Sequence, residues 1–329
     1  IFSGGMTNPM RAQLSDIVDG KLTVPAVSRQ HACSAFADAA IDFLKQPRTG
    51  PFLCYVAFDG PHDPHIVPQE FPIHYDPESI PLPAAFMPQH PWDNGEMNIR
   101  DEALLARPRE PGATKRMIAD YYRYVSFLDQ EIGRILQAVS SSDAAANTIV
   151  VFASDSGVAL GRHGLVGKQN LYEHSLRVPL ILSGPGIPKG KRSSALVYTY
   201  DIYPTLGRLC GVTGPESSLG SDFSPAMDDP QWSARQYLVF AYKNVQRGIR
   251  DDRWKLIRYL SVDKTQLFDL NADPEETKNL AYDPAYADQV DRLNLELYDG
   301  LKESGEGERV RAVPPARRGV RQSPPRLPR

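Results

Sequence analysis

The chain has 329 residues, 41% of them hydrophobic and 23% charged, with a net charge of −3. That is the composition of a folded protein with room for a sizeable core, and it gives no reason to expect nucleic acid as a partner. No run is long and apolar enough to cross a membrane. Three cysteines (Cys33, Cys54 and Cys210) without a CxxC argue against a disulfide framework or a cysteine metal cluster and leave room for one disulfide at most.

Residues 1–30 are polar and irregular. Residues 31–46, HACSAFADAAIDFLKQ, carry a helical stripe with Phe36, Ala40, Phe43 and Leu44 near one face. Pro51 restarts the chain, and Phe52 to Phe58 reads as a buried strand of the kind covered on both sides in a parallel sheet, with Cys54 as a buried small hydrophobe. From Gly60 to about Pro91 the sequence predicts a long loop, with eight prolines between Pro61 and Pro88 and four histidines between His62 and His90. Loops of that length usually carry an active or binding site, or are disordered. Residues 92–113 are polar and weakly patterned.

The clearest helix covers 115–139, where Ile118, Tyr122, Val125, Leu128, Ile132, Ile135 and Val139 recur at helical spacing. Strands at 148–153 and 178–183 and a helix at about 201–210 follow. This order is that of an α/β sheet protein, in which ligands gather beyond the carboxyl ends of strands. After a Gly, Pro, Ser and Asp-rich stretch at 211–236, strands are expected at 237–242, 253–260 and 266–270, forming a small antiparallel sheet with a helix behind it. In NADPEETKNL, Asp273 reads as an N-cap, Pro274 as the first helical residue and Glu276 as a capping-box partner. Between Arg309 and Arg329 there are seven arginines, five prolines and no acid, a composition that predicts disorder. The expected organisation is a large α/β region over 1–236, a small α+β subdomain over 237–300 and a loose tail over 301–329.

The chemistry-bearing residues concentrate after the strand at 148–153. Asp155 ends that strand and is followed by Ser156 and Gly157. It reads either as an acid capping a turn or as a carboxylate for a hard cation such as calcium or magnesium, with Ser156 as a weak neutral oxygen donor. His163 lies between glycines in GRHG, which lets the backbone turn closely enough to present the ring to a ligand. Lys168, five residues on, is either a solvated lysine or a point charge for an anionic oxygen. His62, in DGPHDPH, is a candidate proton donor to a leaving group, with His65 as a companion. A zinc reading of the two histidines lacks a third strong ligand nearby. Glu173 and His174 are read as structural partners, and Trp232 and Trp254 as packing residues. GxxxxGK[ST], GxGxxG and GxSxG are all missing, which weakens nucleotide-binding and serine-hydrolase readings.

PFLCYVAFDGPHDPH, YYRYVSFLDQEIGRIL, VVFASDSG, LGRHGLVGKQNLYEHSLRVPLILSGPGIP, DIYPTLGRLCGV, RWKLIRY and LFDLNADPEETKNLA occur in this order. Together they resemble the sulfatase family, within the alkaline-phosphatase-like metalloenzymes, over roughly residues 50–282. The resemblance implies a mixed, mostly parallel sheet flanked by helices, plus a small C-terminal antiparallel sheet and helix. It implies that Asp155 holds a divalent metal, usually calcium, and that Lys168 grips the sulfate. It also implies that His62 acts near the leaving oxygen and that His163 borders the substrate. The family's second ligand at position 156 is commonly Asn or His, and Ser156 departs from it.

The family nucleophile is a formylglycine made from Cys or Ser in [CS]-x-P-x-R, and no such motif occurs here. This makes truncation the simplest expectation, with the nucleophile in an absent N-terminal region. The implied activity is hydrolysis of a sulfate ester, carried by a small organic molecule or a sulfated polysaccharide, in a secreted or periplasmic setting. The alternatives are a phosphate or phosphonate ester hydrolase of the same superfamily, and a non-catalytic relative that binds a sulfated glycan.

Overall fold

A computed structural model describes residues 30–302 in full, together with the backbone of five short strands that precede them. The chain forms two compact units, residues 1–82 with 110–150, and residues 83–109 with 151–329. Its architecture is α/β, as expected. The Arg/Pro tail lies outside the described residues.

In the first unit, β1 (Phe2–Gly4), β2 (Ala12–Leu14) and β5 (Ala26–Val27) form an antiparallel sheet, while β3 (Ile17–Val18) and β4 (Lys21–Leu22) pair with each other. The first helix, α1 (Ala32–Lys45), starts where the His31 ring accepts the Cys33 N–H, and it buries Phe36 and Ala40 as its stripe predicts. The long helix α2 (Pro111–Ser140) begins with proline at its first turn, where a missing N–H costs nothing. Its buried face is Thr114, Ile118, Tyr124, Phe127 and Glu131, whereas Tyr122 and Val125 of the expected stripe are exposed. The proline-rich loop decides this. Phe71 and Val67 pack with Tyr124 and Phe127, and Arg123 holds the loop by donating to the carbonyls of Phe71 and Ile73 at 3.0 Å.

The strand expected at Phe52–Phe58 is not formed. Val56 and Phe58 pack against α1, but Leu53 and Tyr55 are 83% and 87% exposed, and Cys54 is exposed rather than buried. No described segment pairs with this stretch, and without a ladder an extended segment covers only the face that meets the helix. All three cysteines are free thiols, so the one disulfide left open by the sequence is not made.

In the second unit, β6 (Val150–Ala153) pairs with β7 (Leu180–Ser183), with the short helix α3 (Glu173–Leu176) between them. The next helix, α4 (Ile202–Cys210), ends at Gly211 in the left-handed conformation (φ 68°). Then β8 (Leu238–Tyr242), β9 (Gln246–Arg250), β10 (Trp254–Tyr259) and β11 (Lys264–Asp269) form an antiparallel sheet in the order β11-β10-β9-β8. Side chains alternate across it. Ile249, Leu256 and Leu267 face α5 (Ala287–Lys302) and its Leu293 and Leu297. Ile257, Tyr259 and Phe268 face Leu165, Leu171 and Tyr172 of the loop that follows β6.

Strand β9 is not legible in the sequence because its QRGIR is polar. Gln246 is nonetheless fully buried, donating to the carbonyls of Asn94 and Gln169. The helix expected in NADPEETKNL is a turn, and the helix behind the sheet is α5 instead. Asp273 does cap, accepting the Lys278 N–H at 2.7 Å, but Glu276 turns inward at φ 57° to meet the buried Lys255 ammonium at 2.9 Å. A buried ammonium demands a counter-charge, and that demand overrides the local capping pattern.

Candidate active site

The turn after β6 is built around Asp155. Ser154 donates to the Ser156 carbonyl at 2.9 Å, and the Ser156 hydroxyl lies 3.4 Å from Asp155 Oδ1. The Asp155 side chain is exposed. Gly157 donates to the Ser175 carbonyl at 3.0 Å, and a Cβ there would sit 1.9 Å from the His174 carbonyl oxygen. Only glycine lets the turn lie this close to α3.

The loop then doubles back on itself, with Ala159 donating to the Gly167 carbonyl and Gly161 to the Leu165 carbonyl. At Gly164 (φ 73°), a Cβ would meet the backbone of Gln89 and His90 at 2.2 Å. His163 is 5% exposed, and its ring stacks on Tyr172 with centroids 3.8 Å apart and an interplanar angle of 5°. His174 continues the stack. Burial pushes His163 down to about 3, helped by repulsion from His90 when it is protonated and from Lys255 and Arg162, and the surroundings of the half-buried His174 push it well below the usual range. Both rings are therefore neutral near pH 7.

Lys168 is half-buried, and its ammonium has no hydrogen-bond partner among the described residues. The backbone ahead of it is clasped by a side chain that the sequence did not single out. Glu102 accepts the N–H of Val166 at 3.1 Å and of Gly167 at 2.9 Å. Arg109, itself 1% exposed, pairs with Glu102 and donates to the Gly164 carbonyl at 3.3 Å. Asp101 accepts from the Gln169 amide at 2.7 Å. Burial works against the Asp101 charge, yet bonds from Gln169 and Arg100 and the charge of Lys168 hold its carboxyl below the ordinary range. These residues come from the stretch that looked only polar and weakly patterned, and nothing local marks which of its charges are buried.

Glu173 and His174 do not pair with each other. Glu173 meets Arg250 at 2.6 Å and Lys255 at 3.0 Å. Burial alone would raise its carboxyl, but those two cations hold it low.

His62 belongs to the first unit. Its Nδ1 lies 2.9 Å from the Asp63 carbonyl, which can only accept, so Nδ1 carries a proton and Nε2 is left for other partners. Its backbone N–H donates to the Asp59 carbonyl at 3.0 Å. The Asp59 carboxyl is raised by burial, with the His62 charge opposing the shift, and its Oδ2 is buried without a partner. His65 sits edge-on to Tyr121 at 5.3 Å, and burial lowers it.

Calcium takes about six to eight oxygens, several of them anionic. Asp155 and Ser156 supply one carboxylate and one hydroxyl, and no group of three metal-binding side chains occurs among the described residues. These residues by themselves do not fit a calcium site.

The chain matches the Sulfatase family over residues 6–212 and the C-terminal region of N-sulphoglucosamine sulphohydrolase over residues 161–303. It is 31% identical over 259 residues to a sulfatase of Formosa agariphila, covering 75% of this chain and 49% of the relative. It is 29% identical over 272 residues to a Delta 4,5-hexuronate-2-O-sulfatase of Bacteroides thetaiotaomicron, covering 75% of this chain and 56% of the relative. Among solved structures, a 2-O GAG sulfatase aligns with a TM-score of 0.65 and 25% identity, over 85% of this chain and 65% of that one. The chain thus spans about half the length of the curated relatives it matches. The Sulfatase match covers more than half of the chain, and the ordered motifs lie on the elements just described, so the chain belongs to the sulfatase family.

Proposed function

We propose that this chain is part of a sulfuric ester hydrolase acting on a sulfated sugar or a small organic sulfate. The observation that carries this reading is Lys168. Its ammonium makes no hydrogen bond among the described residues, although Asp101 feels its charge, and the peptides before it are fixed by Glu102 and Arg109. A cation with open hydrogen-bonding capacity on a held loop suits the anionic oxygens of a sulfate group, because no rotation of the backbone is lost when the ester binds. The names of relatives that act on sulfated hexuronate and on N-acetylglucosamine 6-O-sulfate support a sulfated sugar as the substrate class.

In this reading hydrolysis breaks the bond between sulfur and the ester oxygen, and the departing oxygen must take up a proton. His62, with Nδ1–H anchored on a carbonyl, has an Nε2 able to carry a proton, which is the role the family resemblance implies for it. Lys168 opposes the charge on the non-bridging oxygens, and Asp155 would offer one carboxylate toward calcium, which is not a site by itself. A formylglycine would supply the nucleophile, and the 329 residues hold no [CS]-x-P-x-R motif to form it.

Calorimetric titration of the chain with 4-nitrophenyl sulfate and 4-nitrophenyl phosphate tests this. The expected result is binding of the sulfate ester that weakens about tenfold in Lys168→Ala, the worth of one charge-assisted contact. Binding that ignores the substitution, or a clear preference for the phosphate ester, would overturn it.

A further inference from the structure

Four buried polar atoms without hydrogen-bond partners belong to residues lining one cavity of about 170 Å³ in the second unit. They are His90 Nε2, His163 Nε2, Trp92 Nε1 and Glu276 Oε1, the last of which has its charge met by the Lys255 ammonium at 2.9 Å. Tyr172, Phe268 and Met87 add aromatic and apolar wall. The cavity is several times the roughly 30 Å³ that one water occupies. It is smaller than the roughly 300 Å³ at which sites for drug-sized ligands begin. Asp155, Ser156 and Lys168 are not among its walls.

The hydrogen-bonding capacity of the wall restricts what fits. His90 Nδ1 lies 2.8 Å from the His163 carbonyl, so Nδ1 carries the proton and Nε2 of the neutral ring offers a lone pair. His90 and His163 are 3% and 5% exposed, and burial pushes them down to about 4 and about 3, so neither ring is cationic near neutral pH. The Lys255 ammonium behind the wall is taken by Glu173 and Glu276, and Glu173 also meets Arg250. Trp92 Nε1–H can only donate. An anion would satisfy Trp92 and face the His90 lone pair. An ammonium would satisfy the imidazole and face the Trp92 N–H. A hydroxyl both accepts and donates, and ring C–H faces suit aromatic walls.

We propose that this cavity binds a neutral, polyhydroxylated ligand of single-ring size, such as an unsulfated pyranose, without a contact from Lys168. One hydroxyl accepts from Trp92 Nε1 and donates to an imidazole Nε2, and the ring lies against the aromatic wall. The assignment stands apart from the sulfate-gripping role of Lys168, which is not in the walls, although one wall residue, His163, lies on the same loop.

Saturation-transfer NMR on the full chain with D-glucose, D-galactose and N-acetyl-D-glucosamine tests it. Transfer to at least one sugar is expected. Trp92→Phe keeps the aromatic wall and removes the N–H, and should weaken that binding about fivefold, the worth of one hydrogen bond. His90→Phe fills part of the cavity and should abolish it, while Lys168→Ala should leave it unchanged. If His90→Phe does not fold, as judged by near-ultraviolet circular dichroism, Trp92→Phe carries the test alone. The assignment is overturned by no transfer to any of the three sugars, by transfer that survives Trp92→Phe at full strength, or by transfer lost in Lys168→Ala.

Discussion

Glu102 accepts the backbone N–H of Gly167 at 2.9 Å, so the last peptide before Lys168 hangs on a side chain 65 residues earlier in the chain. Arg109 completes the clasp with its guanidinium buried, and removing one member strands the other's charge. Glu102→Gln should therefore destabilise the protein by ~3–5 kcal/mol, the usual cost of breaking a buried pair from one side. Urea unfolding gives the energy, and amide exchange at Val166 and Gly167 should speed up at the same time. An unchanged midpoint together with unchanged exchange would refute the clasp.

The stacked, neutral His163 and His174 set an acid limit on stability. Their folded pKa values lie below those of the unfolded chain, at about 3 for His163, because burial disfavours the charged ring. The unfolded chain therefore binds more protons than the native state between the ordinary histidine range, about 6.5, and the depressed values, and stability falls as pH falls through that window. His163→Phe keeps a ring on Tyr172 and removes one titrating group. Its urea midpoint should depend less steeply on pH from about 6.5 downward than that of the parent. Equal slopes would show that His163 does not titrate on unfolding.

Calcium should bind this chain weakly. Asp155 supplies one carboxylate, and water can fill a coordination shell without supplying the negative field that holds the ion. Calorimetry should find no tight site, and Asp155→Asn should abolish what weak binding remains. Tight binding that survives Asp155→Asn would remove Asp155 from the metal role.

Turnover of a chromogenic aryl sulfate by the 329-residue chain should stay at the buffer rate, because no [CS]-x-P-x-R motif is present to form the nucleophile. Hydrolysis above that rate, lost in Lys168→Ala, would show that another group in this chain attacks sulfur.

The helical periodicity of α1 and α2, the apolar runs of β6 and β7, and the order of the motifs were all determined by the sequence, because periodicity and turn residues act locally. The residues bracketing Lys168 were legible too, since glycine spacing announces a loop that turns tightly. Which face of α2 would be buried was not, because overlapping apolar stripes compete and the proline loop chooses between them. Phe52–Phe58 is apolar enough for a strand, yet a ladder also needs a partner, and only the tertiary structure reveals that no described segment supplies one. The same holds for β9, whose polar residues are buried because Asn94 and Gln169 offer them carbonyls, and for Glu276, which leaves its capping pattern to neutralise Lys255. Glu102, Arg109 and the cavity beside His90 lie furthest beyond the sequence. A charge is buried or exposed according to what packs over it, and residues 92–113 carry no periodicity that says which of their charges the loop after β6 will cover.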